Sequence, residues 1–282
     1  MFGLIKSDFY KLFRMKSFYI CGLIAAVLAG LGIFAADAVD KMQYAMYGLE
    51  DMFISQYTGV YSLALGLGSA TLFITILVSM FVPGEFKFGT IKNIVPSGIS
   101  RMGIYFSKFI VTIFISVAYS LLCAAAAFIT GCCLAGVGDF DRNIFLDILE
   151  IFGLFLLAQI ALQSIFQMMG FLIRSTGWTI GVNIAIFAFL PSMVLTLIDF
   201  AVNSWLAPVV ASVDWLNSWL KIENFSSNDY WPLPYLSEFS NIDILHMDFF
   251  QPILTRGLIV CAVYIVIATV IGLWTFQKRD ID

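Results

Sequence analysis

The residue types that most often carry enzyme chemistry are scarce in this sequence and fall into no catalytic pattern. His246 is its single histidine, with no cysteine or glutamate at the spacing of a metal site. The patterns HExxH, GxSxG and GxxxxGK followed by serine or threonine are absent. We therefore expect no catalytic residue, no metal site and no cofactor bound by this chain.

Uncharged polar side chains recur every four residues within two otherwise apolar segments. In a helix this spacing places them on one face. Such a face is costly against lipid, so we expect it to line either a substrate path or an interface where helices hydrogen-bond to one another. The residues are Gln159, Gln163 and Gln167 in one segment, and Thr71 and Thr75 in the other.

A mixed basic and aromatic stretch follows Pro83 and Gly84, which predict the end of an apolar segment. The stretch suits a short cytoplasmic helix that docks on a partner protein. A loop lying on anionic lipid is the alternative. Its residues are Glu85, Phe86, Lys87, Phe88, Gly89, Thr90, Ile91 and Lys92.

The elements that position these residues are predicted to be membrane-spanning helices. The chain is 61% apolar and 12% charged, against roughly 25% charged in a soluble domain. A helix of roughly 20 apolar residues crosses the hydrocarbon layer. We predict an all-α polytopic membrane protein, a single domain over residues 1–282, with six spans near Phe18–Ala36, Tyr61–Val82, Phe109–Leu134, Ile148–Ile173, Trp178–Ile198 and Gly257–Phe276.

The distribution of Lys and Arg predicts the orientation of these spans, because cytoplasmic loops carry an excess of both. Segments that alternate along the chain hold 11 of the 15 basic residues and only four of the 19 acids. We therefore expect both termini in the cytoplasm and an even number of spans. The 11 residues are Lys6, Lys11, Arg14, Lys16, Lys87, Lys92, Arg101, Lys108, Arg174, Lys278 and Arg279.

Three of the segments outside the predicted spans have features of their own. Residues 1–17 set the apolar Leu4, Phe9 and Leu12 against a polar face that includes Asp8, which predicts a helix lying in the cytoplasmic interface. Residues 83–108 form the cytoplasmic loop. Residues 199–256 form a long extracellular segment, rich in tryptophan, that is suited to act as a lid.

The stretch Glu85–Lys92 resembles a signature of type-2 ABC exporter permeases: E-x-x-x-G-T, then Ile, Leu or Trp, then Lys or Arg. In that family the signature follows the second span, as it does here. Ser100-Arg101, Lys108 and the closing stretch Phe276–Ile281 fit the same pattern. The N-terminal arm resembles the family's interfacial elbow helix.

The resemblance implies that residues 85–92 form a coupling helix that seats in a separately encoded ATP-binding cassette subunit, where ATP and Mg bind. It also implies a second permease chain, so that the two form a homodimer or a heterodimer. The location that it implies is the plasma membrane of a bacterial cell. Lipid is then a further partner, and nucleic acid is not. Permeases for bacitracin or lantibiotic immunity, or for peptide-toxin export, are similar, which implies amphipathic or antimicrobial peptides as cargo.

Two other functions remain open from the residues alone. A membrane scaffold or sensor partner would need no ATPase. A gradient-driven carrier usually keeps an ionisable residue in the middle of a span, and none lies in the six predicted cores.

Overall fold

The structure is a computed structural model that describes residues 2–48, 54–90, 99–138, 142–188, 196–202, 204 and 247–278. Over these ranges the regular structure is helical and contains no strand, which confirms the all-α prediction. The helices are α1 (Phe2–Arg14), α2 (Lys16–Met46), α3 (Gly59–Ser69), α4 (Thr71–Lys87), α5 (Arg101–Ala135), α6 (Arg142–Ile173), α7 (Thr176–Ala188), α8 (Thr196–Ala201) and α9 (Met247–Lys278).

Five helical stretches among the described residues are long and apolar enough to cross a membrane. They confirm five of the predicted spans. The five are α2, the continuous stretch Gly59–Lys87 formed by α3 and α4, α5, Phe152–Ile173 of α6 and Gly257–Lys278 of α9.

The sixth predicted span is described only in part. Its first half is α7, an apolar helix of 13 residues, which at 1.5 Å per residue reaches roughly 20 Å. Residues 189–195, including Pro191, lie outside the described part of the chain, as do residues 205–246 of the predicted lid. The six-span count and the lid therefore stay predictions.

We predicted that the apolar span ends at Pro83 and Gly84 and that a short cytoplasmic helix follows. In the structure α4 is continuous through both residues and continues to Lys87. Proline removes one backbone donor, yet the following turn still closes with a 3.0 Å bond from the Phe88 amide to the Gly84 carbonyl. The helix stops at Lys87 because Gly89, two residues farther on, has a φ of 65°, which suits a residue without a Cβ.

Helix α5 begins earlier than the predicted third span. Its first residue is Arg101, and the Ser100 hydroxyl caps it by accepting a hydrogen bond from the Gly103 amide at 3.1 Å. The predicted cytoplasmic loop 83–108 is consequently helical at both ends. Lys108, which we had placed in that loop, is buried within α5.

Helices α5 and α6 lie at the centre of the bundle. Helix α3 packs on α5, α4 packs on both α6 and α7, and α9 packs on α6. Helix α2 and the amphipathic α1 both pack on α5. The shared core is apolar and includes Leu77, Ile115, Phe155 and Phe166.

Gly66 permits the close approach of α3 to α5. A Cβ at this position would lie 2.6 Å from the Ala127 Cβ and 2.8 Å from the Cys123 carbonyl oxygen. Real Cβ atoms essentially never approach another atom this closely, and one of these neighbours is backbone. Small residues at such contacts let helix backbones come together in membranes.

We expect Gly66→Ala to destabilise the protein by about 1–3 kcal/mol, because the added methyl group overpacks the α3–α5 contact. The measurement is thermal unfolding of the purified protein in detergent. Gly32→Ala is the matched control, since a Cβ there meets nothing within 4 Å and alanine favours a helix. Equal melting temperatures for the two variants would contradict the close contact.

Candidate functional site

The N-terminal helix carries a buried acid on its packed face. The buried residues of α1 are Leu4, Asp8 and Leu12, which recur every four residues and face the bundle. The prediction that Asp8 belongs to the polar face was wrong. The spacing of four residues from Leu4 to Asp8 and from Asp8 to Leu12 could have predicted that Asp8 shares the packed face. A charged residue is more often exposed to solvent, so the polar face was predicted instead.

Asp8 is fully paired by two neighbouring residues of α5. The Lys108 ammonium donates to Asp8 Oδ1 at 2.6 Å, and the Ser107 hydroxyl donates to Asp8 Oδ2 at 2.6 Å. Both oxygens of a carboxylate removed from water are thereby satisfied, as a buried charge requires. The contact fixes α1 against the N-terminal part of α5.

Glu85, at the end of α4, joins the same cluster. Its Oε1 accepts a hydrogen bond from Lys11 at 3.0 Å and lies 3.0 Å from the Lys108 ammonium. Lys11 also lies 4.0 Å from Asp8 Oδ1. We call Asp8, Lys11, Glu85 and Lys108 the ion-pair network; its two acids and two bases balance in charge.

The network is shielded from water on one side by an aromatic ring. The Lys108 ammonium lies 4.8 Å from the centroid of the Phe81 ring, and the lysine is 1% exposed. The face of an aromatic ring attracts a cation. Lys11 is the most exposed member, with 34% of its side chain accessible. Solvent therefore reaches the network at Lys11 and not at Lys108.

The structure divides the predicted coupling residues into an inward and an outward group. Glu85 is buried in the network, and Phe86 packs edge-on against Phe171 and Phe276. Lys87 and Phe88 are exposed, Phe88 to 79%. Gly89 and Thr90 are half-buried, and Ile91 and Lys92 lie outside the described residues.

A cleft of about 230 Å³ lies between the network and the exposed end of α4. Its walls are mostly apolar, and two members of the network reach it. The cleft is lined by residues of α1 and α4, by the residue between α1 and α2, and by the first residues after α4. The lining residues are Lys11, Met15, Met80, Phe81, Gly84, Glu85, Phe88 and Thr90.

The glutamine stripe of α6 lies between helices. Gln159 accepts from the Thr71 hydroxyl of α4 at 3.3 Å, and Gln167 accepts from the Thr112 hydroxyl of α5 at 2.9 Å. Gln163 accepts from the Ser116 hydroxyl of α5. All three glutamines are at most 1% exposed. Helix-to-helix hydrogen bonding, one of the two interpretations of the stripe, accounts for these contacts.

The threonine stripe of α4 bonds mainly within its own helix. Thr75 donates to the Thr71 carbonyl at 2.8 Å, and Ser79 donates to the Thr75 carbonyl at 2.7 Å. Ser79 also accepts from Asn183 of α7 at 2.7 Å. Asn183 was missed from the sequence, because a lone asparagine in a short apolar segment carries no periodic signal.

The buried partners on α5 were also missed. Thr112 and Ser116 follow the same four-residue spacing as the glutamines and were open to the same argument. Among the described residues, no group of three His, Cys, Asp or Glu side chains could hold a metal ion. The arrangement is suited to fixing and moving helices.

We expect Asp8→Ala to destabilise the protein by about 3–5 kcal/mol, because it leaves the Lys108 ammonium buried with half its pairing lost. Lys6→Ala on the exposed face of α1 is the control and should leave the unfolding temperature unchanged. Thermal unfolding in detergent measures both.

The double variant Asp8→Leu with Lys108→Met removes one acid and one base together. We expect it to recover most of the stability lost by Asp8→Ala, because no unpaired charge is left in the interior. A double variant as unstable as Asp8→Ala would show that shape, and not charge pairing, holds α1 in place.

Comparison with known families gives one match. The model of a family described as ABC-2 family transporter protein matches residues 4–192, which is well over half of the chain. The matched range includes the ion-pair network and both polar stripes. No curated protein matches the chain.

Proposed function

The chain belongs to the family of ABC-2 transporter proteins, and from this membership we propose that it is the permease subunit of an ATP-driven exporter. The family supplies membrane components of transporters that normally work with a separate ATP-binding subunit. The observation that carries the proposal is the exposed Lys87–Phe88 pair, which projects from a span whose end is held by the ion-pair network.

Residues 85–92 act, in this proposal, as the coupling element. Lys87, Phe88, Gly89, Thr90, Ile91 and Lys92 contact the ATP-binding subunit, which binds ATP and Mg. Glu85 and Phe86 root the element in the permease, through the network and through the aromatic contacts with Phe171 and Phe276. A segment anchored in this way transmits a movement of the ATP-binding subunit to the helices of the permease.

The movement of the coupling element is transmitted to three helices. Glu85 belongs to α4, Lys108 to α5, and Asp8 and Lys11 to α1. Separating Lys108 from Asp8 or from Glu85 leaves an ion poorly compensated in an apolar interior, which is costly. Movement of the coupling element therefore displaces the cytoplasmic ends of these helices together.

A second permease chain completes the transporter in this proposal. Helices α2 and α9 present the most exposed apolar faces, which are available to lipid and to a second chain. The side chains include Leu23, Val27, Leu31 and Phe34 on α2, and Ile259, Val266, Val270 and Trp274 on α9.

Amphipathic peptides, including antimicrobial ones, are the cargo that we propose. The polar interface of α6 with α4 and α5 carries uncharged donors and acceptors among apolar side chains, with Gln159, Gln163 and Gln167 at its centre and Thr71 and Thr75 beside them. A parting of these helices would offer both kinds of contact to an amphipathic peptide. Uncharged hydrogen bonds exchange at lower cost than ion pairs.

We expect Phe88→Asp and Lys87→Glu each to lower peptide-stimulated ATP hydrolysis about tenfold, because both alter the exposed face that would contact the ATP-binding subunit. The measurement uses the permease reconstituted in vesicles with its ATP-binding subunit, and amphipathic peptides as stimulant. A tenfold loss corresponds to about 1.4 kcal/mol of coupling.

Lys6→Glu is the matched control, since it makes the same charge reversal on an exposed cytoplasmic lysine outside the coupling element. It should leave the stimulation unchanged, and all variants should keep the wild-type unfolding temperature. Full stimulation in Phe88→Asp and Lys87→Glu would argue against the exporter and for a scaffold without an ATPase.

Labelling from one side of the membrane tests the proposed orientation. In a cysteine-free background we expect Lys87→Cys to resist a membrane-impermeant maleimide in intact cells and Gln56→Cys to react with it, because 54–58 lies at the opposite end of the stretch formed by α3 and α4. Both side chains are exposed, so accessibility alone does not separate them. Labelling of Lys87→Cys from outside would reverse the topology.

A further inference from the structure

Glu85 is only half paired, in contrast to Asp8. Its Oε1 has two ammonium partners, Lys11 and Lys108, each at 3.0 Å. Its Oε2 is buried and has no hydrogen-bond partner among the described residues. A carboxylate oxygen removed from water without a donor is costly, and such atoms in a folded protein call for an explanation.

The unpaired carboxylate belongs to a residue that lines the cleft. The other lining groups are the apolar faces of Met15, Met80 and Phe81 and the ring of the exposed Phe88. At about 230 Å³ the cleft is smaller than the roughly 300–1,000 Å³ of small-molecule pockets. It suits one inserted side chain better than a drug-sized ligand or a whole lipid.

We propose that this cleft receives an arginine side chain of the ATP-binding subunit, whose guanidinium group donates to Glu85 Oε2. The inference rests on the proposed function and names the partner's contribution to the coupling element. It gives Glu85 a second role, as the point where the partner joins the network.

Arginine fits the cleft in three respects. Its guanidinium is a strong donor to a carboxylate. Its aliphatic stem packs against methionine and phenylalanine side chains. Its planar head stacks on an aromatic face such as that of Phe88, which a compact ammonium does less well.

The charge of the network also permits a third cation. Asp8 and Glu85 balance Lys11 and Lys108, so an incoming arginine does not meet a net positive charge. Lys11, the most exposed member, is free to turn its ammonium toward water as the arginine arrives. The Asp8–Lys108 pair stays closed, because Ser107 satisfies the remaining Asp8 oxygen.

Two charge-balanced double variants separate Glu85 from Asp8. Glu85→Gln with Lys11→Gln removes the carboxylate of the cleft and leaves the Asp8–Lys108 pair. Asp8→Asn with Lys11→Gln removes the other acid and leaves the Glu85–Lys108 pair. The measurement is the affinity of the purified ATP-binding subunit for each permease in nanodiscs, with Lys11→Gln alone as reference.

We expect the Glu85 double variant to bind the subunit about tenfold more weakly than Lys11→Gln, the loss of one charge-assisted hydrogen bond. The Asp8 double variant should stay within about threefold of the same reference, since it keeps the cleft carboxylate. Equal affinities for the two doubles would overturn the proposal.

Gly84→Leu provides a test that leaves every charge in place. Gly84 lines the cleft, and a Cβ there meets nothing within 4 Å, so the larger side chain fills the cleft without disturbing the fold. We expect about tenfold weaker binding of the ATP-binding subunit, while Gly3→Leu, at another open position, binds normally. Unchanged binding by Gly84→Leu would overturn the proposal.

Replacing each surface arginine of the ATP-binding subunit by alanine identifies the donor. One replacement should weaken binding to the wild-type permease and have no further effect on the Glu85 double variant. Coupling to no arginine, or only to an amide or hydroxyl side chain, would overturn the assignment. Failure of the wild-type chains to bind each other would instead overturn the proposed function.

Discussion

The pairing of charges away from water is the constraint on which the end of the bundle that holds α1 depends. Lys108 lies between Asp8 and Glu85 with almost no access to solvent, so its ammonium has only these carboxylates and the Phe81 ring to replace water. Each acid comes from a different helix. The arm α1, the end of α4 and the start of α5 are consequently bound together, because separating them leaves an ion unpaired in an apolar interior.

The middle of the bundle follows the same rule with uncharged groups. Glutamines of α6 accept from hydroxyls of α4 and α5, and Asn183 bonds to Ser79 and to the Phe166 carbonyl. Each such bond contributes roughly 0.6 kcal/mol on average between membrane helices, far less than a buried ion pair costs to break. The helices are therefore held together more firmly at the end that carries the ion-pair network than in the middle of the bundle.

The sequence predicts the spans well because apolar length is a local property that lipid requires directly. It predicts the network poorly because the partners are far apart in the chain. Asp8 was predicted to face solvent, because the sequence of an amphipathic helix is the same whether an acid on it contacts water or another helix. Lys108 was predicted to lie in a loop. The end of α4 was misplaced for a related reason: Pro83 weakens a helix locally, while packing of the buried Glu85 continues it.

The end of α9 packs beside the ends of α4 and α5, although the family match stops at residue 192. The Arg101 guanidinium donates to the carbonyls of Phe276 and Gln277 at 3.0 and 2.9 Å, which satisfies the C-terminal end of α9. Phe276 also packs against Phe86 of the coupling element. The start of α5 therefore meets the end of α9 beside the end of α4. In the coupling that we propose for residues 85–92, a displacement of the end of α4 would therefore reach both α5 and α9 through these contacts.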